Sequence, residues 1–293
     1  MDVYGILQER FPQLKKERDF SFAKHTFIGC GGTAAVALSP SGIGEAAECL
    51  DFLEEQKIPH CFLGAGANVL ACDGRFDGAV VRFDLIKQLY LGNGFLFAGA
   101  GVTGRELLAF AEKNCVTGFE PFAGIPTTVG GGVAMNAGIS VRHFSDLVSS
   151  VIAVKGGRIR IYRKEECRFS VKESVFLQGI AILGVYFKAK TAPQAEIKAQ
   201  TAHYLERRAH LPKGRSMGCT FVNPESVPAG ELIEKCGLKG KRSGSAYISE
   251  RHANFIINEG NSSADVARLI DEVKEEVLIK TGIRLREEIR RIP

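Results

Sequence analysis

Apolar residues in this chain recur at two spacings, and the switching between them predicts a mixed α+β architecture. A spacing of three to four sets Val3, Ile6, Leu7 and Phe11 on one side of an amphipathic helix over 3–19. The same rhythm predicts helices over 42–56 (Ile43, Ala46, Cys49, Leu50, Leu53), 104–115 (Leu107, Leu108, Phe110, Ala111), 194–209, 229–236 and 263–280. For the last, Ser262 or Ser263 is the expected N-cap, Asp265 suits its first turn and Gly282 ends it. Short apolar or alternating runs predict strands at 34–38, 59–62, 78–83, 87–91, 95–102, 151–155, 158–162, 180–188 and 254–258. Asn93-Gly94 and Gly156-Gly157 fall between pairs of these as hairpin turns. The final run IRLREEIRRI alternates as a half-exposed strand, with Leu285, Glu287 and Ile289 on one face and Arg286, Glu288 and Arg290 on the other. A break at 191–194 divides the chain into an expected 1–190 region and a smaller 191–293 domain.

One stretch follows neither rhythm. GFEPFAGIPTTVGGGVAMNAG (118–138) has six Gly among 21 residues and no charge after Glu120. It carries too many large apolar residues for a surface linker, and Gly130–Gly132 have no side chains to pack as a strand. Consecutive glycines let peptide N–H groups approach a ligand and form an anion-binding concavity. The expectation is a buried loop laid against a flat, phosphate-bearing cofactor; the plain alternative is a turn between buried strands. A second Gly-rich turn, LGAGANVL (63–70), follows a short strand. It lacks the third Gly of the dinucleotide fingerprint, and no clear helix follows it.

Composition narrows the class without changing it. At 293 residues, 45% hydrophobic and 24% charged, the chain is an ordinary globular one. A net charge of +5 with no dense Lys/Arg run gives no reason to expect nucleic acid. No apolar run reaches the ~20 residues that span a bilayer, and the N-terminus has no signal-peptide core. The eight Cys are scattered with no C-x-x-C pair, so no metal site is expected and a reducing cytoplasm is the expected setting.

Two Gly-rich loops in this order resemble those of the UDP-N-acetylenolpyruvoylglucosamine reductases, shorter class. LGAGANVL is similar to L-G-x-G-S-N-x-L, and 118–138 to G-x-E-x-x-x-G-I-P-G-T-V-G-G-A-V-x-M-N-A-G. GCTFVNP (218–224) resembles G-S-x-F-x-N-P, and 229–258 resembles the family's third domain along its length. The resemblance implies an FAD-binding fold of the vanillyl-alcohol-oxidase (PCMH) type with a smaller C-terminal α+β substrate domain. It implies FAD and NADPH as cofactors and the reduction of an enolpyruvyl ether of UDP-N-acetylglucosamine. NADPH reduces the bound flavin; the substrate then takes a hydride at C3, and an enzyme acid protonates C2. The partners implied are small molecules, not nucleic acid or membrane, and a monomer is expected.

Carried over residue by residue, the resemblance assigns cofactor contacts to Leu63, Gly64, Ala65, Gly66, Ala67, Asn68, Val69 and Leu70. It assigns more to Gly124, Ile125, Pro126, Thr128, Val129, Gly130, Gly131, Gly132, Met135, Asn136, Ala137 and Gly138. Asn223 and Ser174 match substrate-contacting positions. The catalytic positions depart from the family. Its acid is a Ser where this chain has Cys219. A lone Cys in a strand is ordinarily core filler, but a thiol, with a reference pKa of about 8.5, can donate a proton at neutral pH. The family's Arg in Y-R-x-S is Lys172, which keeps the charge and loses the planar fork. Arg168 is four residues off, roughly 13 Å along an extended strand. The family's carboxylate is Glu288, expected to orient or assist the proton donor, and Thr127 replaces a loop Gly. Three departures together leave an alternative, a flavin-binding paralogue with altered or lost reductase activity. A different FAD oxidoreductase of the same fold fits the C-terminal motifs less well.

Overall fold

The computed structural model describes residues 2–225 and 227–293. They form two compact units. The first comprises Met1–Arg18, Ala35–Ala65 and Asp77–Ala209, the second Asp19–Ala34, Gly66–Phe76 and His210–Pro293.

The first unit is built on a five-stranded antiparallel sheet in the order Arg158–Arg163, Val148–Lys155, Ala181–Lys188, Phe95–Gly99, Leu89–Gly92. Both expected hairpin turns form. Asn93 and Gly94 have φ of +51° and +78°, and Gly156 and Gly157 +54° and +65°, the left-handed pair that matches strand twist. One core sets Leu96, Ala98, Val151, Val185 and Phe187 against Leu107, Val129, Val133 and Phe144. A second sets helix Ile43–Glu55 against Val3, Leu7, Val36, Leu38, Val154 and Leu183. The N-terminal helix stops at Arg10, and Lys15–Ser21 is a strand. The helix expected to run to 19 is cut by Pro12, which disfavours helical Phe11 before it and removes an N–H.

The second unit has a four-stranded antiparallel sheet, Ser216–Cys219, Phe255–Asn258, Ala246–Ile248, Arg242–Ser243. Helices Ala229–Lys235 and Ser263–Thr281 share its core through Leu232, Ile233, Val266, Leu269, Ile270 and Val273. Ile28, Cys30 and Leu70 complete that core from far upstream. The C-terminal run changes partner midway: Phe221 bridges Glu287, and Arg290–Ile292 pairs in parallel with Val69–Ala71. The single strand expected over 283–292 is therefore split. Helix Gln194–Arg207 packs on Glu120–Phe122 and on helix Gly104–Lys113, so it lies with the first unit although it follows the break at 191.

Candidate active site

The glycine segment is folded more tightly than a loop. The buried Glu120 carboxylate accepts from Thr117 Oγ1 and the Gly118 N–H, both at 2.7 Å, and fixes its start. Thr128 then caps a short helix, Val129–Ala134. The expected concavity of free glycine N–H groups is absent there. Val129 and Gly130 donate to the carbonyls of Val102 (2.8 Å) and Ala100 (2.9 Å). Gly131 donates to Thr128 Oγ1 (3.2 Å) and Gly132 to the Thr128 carbonyl (2.8 Å). Packing is what requires glycine: a Cβ on Gly132 would lie 2.7 Å from the buried Phe144 ring, and one on Gly130 3.0 Å from Ala100 Cβ. Thr127 sits outside the left-handed region, and its carbonyl accepts from the Gly104 N–H at 2.8 Å, so the loop accommodates it.

The segment's C-terminal end is tied to the stretch that carries Lys172. Buried Asn136 donates from Nδ2 to the Ser170 carbonyl (2.8 Å) and accepts the Ser145 N–H (3.0 Å). Buried Ser174 donates to the Ala134 carbonyl at 2.6 Å. Ser170 and Glu173 exchange backbone hydrogen bonds of 3.1 and 3.3 Å, so the chain reverses over Val171 and Lys172. Lys172 has φ +61° and Arg168 φ +48°. The extended strand assumed for 168–172 is not formed, and the spacing argued from it does not apply.

The first Gly-rich loop is divided between the units. Gly64 meets the glycine segment: a Cβ there would lie 2.8 Å from Thr128 Oγ1. The N–H groups of Gly64 and Ala65 have no acceptor among the described residues. This Cβ-free approach with open donors fits a phosphate-bearing cofactor held by backbone. In the second unit Asn68 donates from Nδ2 to the Glu288 carbonyl at 3.1 Å and accepts the Arg290 N–H at 2.9 Å. Leu63, Leu70, Val129 and Val133 have buried side chains, which leaves only their backbone to face a ligand.

In the second unit one buried amide positions the strand that bears Cys219. Asn254 Oδ1 accepts the Phe221 N–H and Nδ2 donates to the Phe221 carbonyl, both at 2.8 Å. Its own carbonyl accepts the Thr220 N–H, also at 2.8 Å. From the other side the Glu288 N–H donates to the Thr220 carbonyl at 2.8 Å, which sets Glu288 opposite the residue after Cys219. Glu287 faces the other way, to Lys274 and Arg291, both at 2.9 Å. Burial would raise its carboxyl, but these two bonds outweigh it and hold the group below the usual range.

Cys219 opens on a cleft of about 250 Å³, lined also by Asn223, Gly230, Arg251, His252 and Asn254. Asn223 Oδ1 accepts the Ala229 N–H at 3.0 Å, at the start of helix Ala229–Lys235. His252 is half-buried; burial first, and the neighbouring His210 second, push its imidazole below its ordinary value. Its Nδ1 accepts the Asn254 N–H at 3.3 Å, so the neutral ring carries its proton on Nε2. Arg251, His252 and Asn254 lie in ERHANFIIN, a stretch whose motif gives no sign of which of its side chains line the cleft. The structure thus sets Cys219 and Asn223 on one cleft of the second unit, with Glu288 tied through its backbone beside Thr220 but not lining that cleft, while Lys172, Ser174 and the 124–138 residues belong to the first.

Comparison with known proteins agrees with this geometry. A family described as "FAD binding domain" matches residues 34–157. The family "UDP-N-acetylenolpyruvoylglucosamine reductase, C-terminal domain" matches 209–292. The reductase of that name from Geobacter metallireducens is 35% identical, covering 93% of this chain and 92% of its own. That of Rickettsia bellii is 33% identical over 94% of this chain and 93% of its own. A crystal structure of the Thermus caldophilus reductase superposes with a TM-score of 0.82 at 31% identity, over 96% of this chain and 99% of that one. A solvent-stable cholesterol oxidase shares the fold alone, with a TM-score of 0.50 at 17% identity, over 61% of this chain and 38% of that one. The chain therefore has the FAD-binding fold of the vanillyl-alcohol-oxidase type and belongs to the UDP-N-acetylenolpyruvoylglucosamine reductase family.

Proposed function

We propose that this protein reduces the enolpyruvyl ether of UDP-N-acetylglucosamine to UDP-N-acetylmuramate, a step of peptidoglycan precursor synthesis, with NADPH as reductant and FAD as bound cofactor. The observation that carries this reading is likeness along nearly the whole chain, 93% of it, to a relative named for that reductase activity. Bound FAD supplies the redox chemistry, passing the reducing equivalents of NADPH to the substrate's double bond. Gly64 and Ala65 would hold it through their open N–H groups, beside the close approach of Gly64 to Thr128.

The chain's own groups supply the rest. Cys219 gives its thiol proton to C2 from the edge of its cleft, and Glu288 orients that donor from the neighbouring segment. Lys172 offsets the negative charge that develops on the substrate carboxylate. Its left-handed conformation supports this role. Such a conformation costs a residue with a Cβ about 1 kcal/mol, and Gly or Asn would suit the turn better. The protein acts as a cytoplasmic monomer on small molecules, without a nucleic-acid or membrane partner; among the described residues no helix is long and apolar enough to cross a membrane.

A steady-state assay with NADPH and the enolpyruvyl substrate, with the product identified by mass, tests the reading. Substrate-dependent NADPH consumption and a product two mass units heavier than the substrate are expected. Consumption at the oxidase background alone would reject it in favour of a paralogue that has lost the reaction.

A further inference from the structure

The hairpin after the glycine segment carries a cation that the functional reading leaves unused. Its strands are Gly138–Ile139 and Arg142–His143, with Arg142 opposite Ile139 and His143 opposite Gly138. Its geometry is tightly set. A Cβ on Gly138 would lie 2.2 Å from the Arg142 carbonyl oxygen. The His143 N–H donates to the Asp146 carboxylate at 2.9 Å, and the Phe144 N–H to the Ala137 carbonyl at 3.0 Å. The Nε of Arg142 is shut off from solvent and has no hydrogen-bond acceptor among the described residues. No carboxylate among them pairs with its guanidinium. Burial of a guanidinium atom without an acceptor is costly, and the group cannot escape that cost by losing its proton.

Location gives the class of partner. Asn136 lies two residues before the hairpin, and its side chain holds the Ser170 carbonyl on one side and the Ser145 N–H on the other. One buried amide thus links both ends of the hairpin to the turn that bears Lys172. That turn offers a point charge, whereas Arg142 offers a planar fork matched to two oxygens.

We propose that Arg142 binds an oxyanion of a ligand held by the first unit, as a bidentate partner to a carboxylate or a phosphate. The proposal rests on the FAD-dependent reading above. The oxyanion belongs either to the enolpyruvyl substrate or to the cofactor's diphosphate, and the two are separable. Arg142→Gln and Arg142→Lys are made in the full chain. FAD affinity is measured by fluorescence on flavin-free protein, and substrate affinity from the shift of the bound flavin's spectrum without NADPH. Arg142→Gln is expected to weaken one of these by about 10- to 100-fold, with Lys recovering only part. Loss of substrate affinity alone assigns the oxyanion to the substrate, and loss of FAD affinity assigns it to the cofactor's diphosphate. The ligand-free variant is expected to melt at or above the wild-type temperature, because a buried Nε–H without an acceptor has been removed. Unchanged affinity for both ligands overturns the proposal, as does a fall in the ligand-free melting temperature that accompanies weaker binding. Failure of the wild-type protein to take up FAD overturns the flavin reading itself, and is seen before any variant is compared.

Discussion

The two regions that carry the candidate chemistry are held in opposite ways. In the first unit the glycine segment uses its own polar side chains as fastenings. Thr128 caps a helix, Asn136 spans two neighbouring turns, and Ser174 is bound to the Ala134 carbonyl. What remains to meet a ligand lies beside the segment: the open N–H groups of Gly64 and Ala65, Lys172 on the tethered turn and Arg142 on the hairpin. In the second unit a single amide, Asn254, fastens the strand, and Cys219 and Asn223 line a cleft. Residue type alone does not tell fastening from tool: Asn136 holds two neighbouring turns, while Asn223 and Asn254 both fasten backbone and line the cleft.

Breaking each side of this contrast gives distinct outcomes. Cys219→Ala is expected to slow reoxidation of reduced flavin by the substrate about 100-fold or more, while leaving flavin reduction by NADPH unchanged. Rapid-mixing absorbance separates the two, and equal slowing would make Cys219 a structural residue. Asn254→Ala leaves a buried N–H and carbonyl of Phe221 without partners, for an expected loss of about 3 kcal/mol in chemical denaturation. A loss under about 1 kcal/mol would deny Asn254 its fastening role. Lys172→Asn tests the first unit in the same way. Stability should hold or rise by up to about 1 kcal/mol as the left-handed residue is suited, while the substrate KM rises. A drop in stability with unchanged kinetics would contradict the assignment.

The smallest effect is at Asp73. Burial would raise its carboxyl, but the N–H groups of Ser263 and Ala264 and the hydroxyl of Ser262 outweigh that and hold it below the usual range. A depressed carboxyl stabilises the fold above its unfolded pKa of about 4, and that stability is lost as pH falls through the lower folded value. Asp73→Asn should therefore cost only about 0.5 kcal/mol at neutral pH, because the exposed carboxylate is screened by solvent, with the two proteins converging in acid. A gap that persists unchanged in acid would show that the charge is not the source.

The same helix shows what the sequence could and could not convey. Helix Gly104–Lys113 is closed by Thr103 and Glu106, three residues apart, and such a device is readable locally. Helix Ser263–Thr281 was expected to use Ser262 or Ser263, with Asp265 at its first turn. The N–H groups at its start are capped by Asp73, far upstream, while Asp265 does lie in its first turn and also accepts from the N–H and hydroxyl of Ser245, both at 2.9 Å. Local periodicity found most helices and hairpins for the same reason. It missed the pairing of Val69–Ala71 with Arg290–Ile292 and the entry of Ile28 and Cys30 into the C-terminal core, because both depend on chain reversal over long separations. In the site, motif order located Cys219, Asn223 and the glycine segment. Whether Gly130–Gly132 offer free N–H groups was decided by the carbonyls of Ala100 and Val102, which no motif contains.

The proposed reaction requires bound flavin to be reduced by NADPH and restored by the enolpyruvyl substrate on this chain. Anaerobic visible spectroscopy of the purified protein tests it most directly, with NADPH added first and the substrate second. The expected result is flavin bands that bleach with NADPH and return in full with the substrate. Bands that bleach and stay bleached would contradict the proposed reaction, and the absence of bands after FAD is supplied would contradict the cofactor site itself.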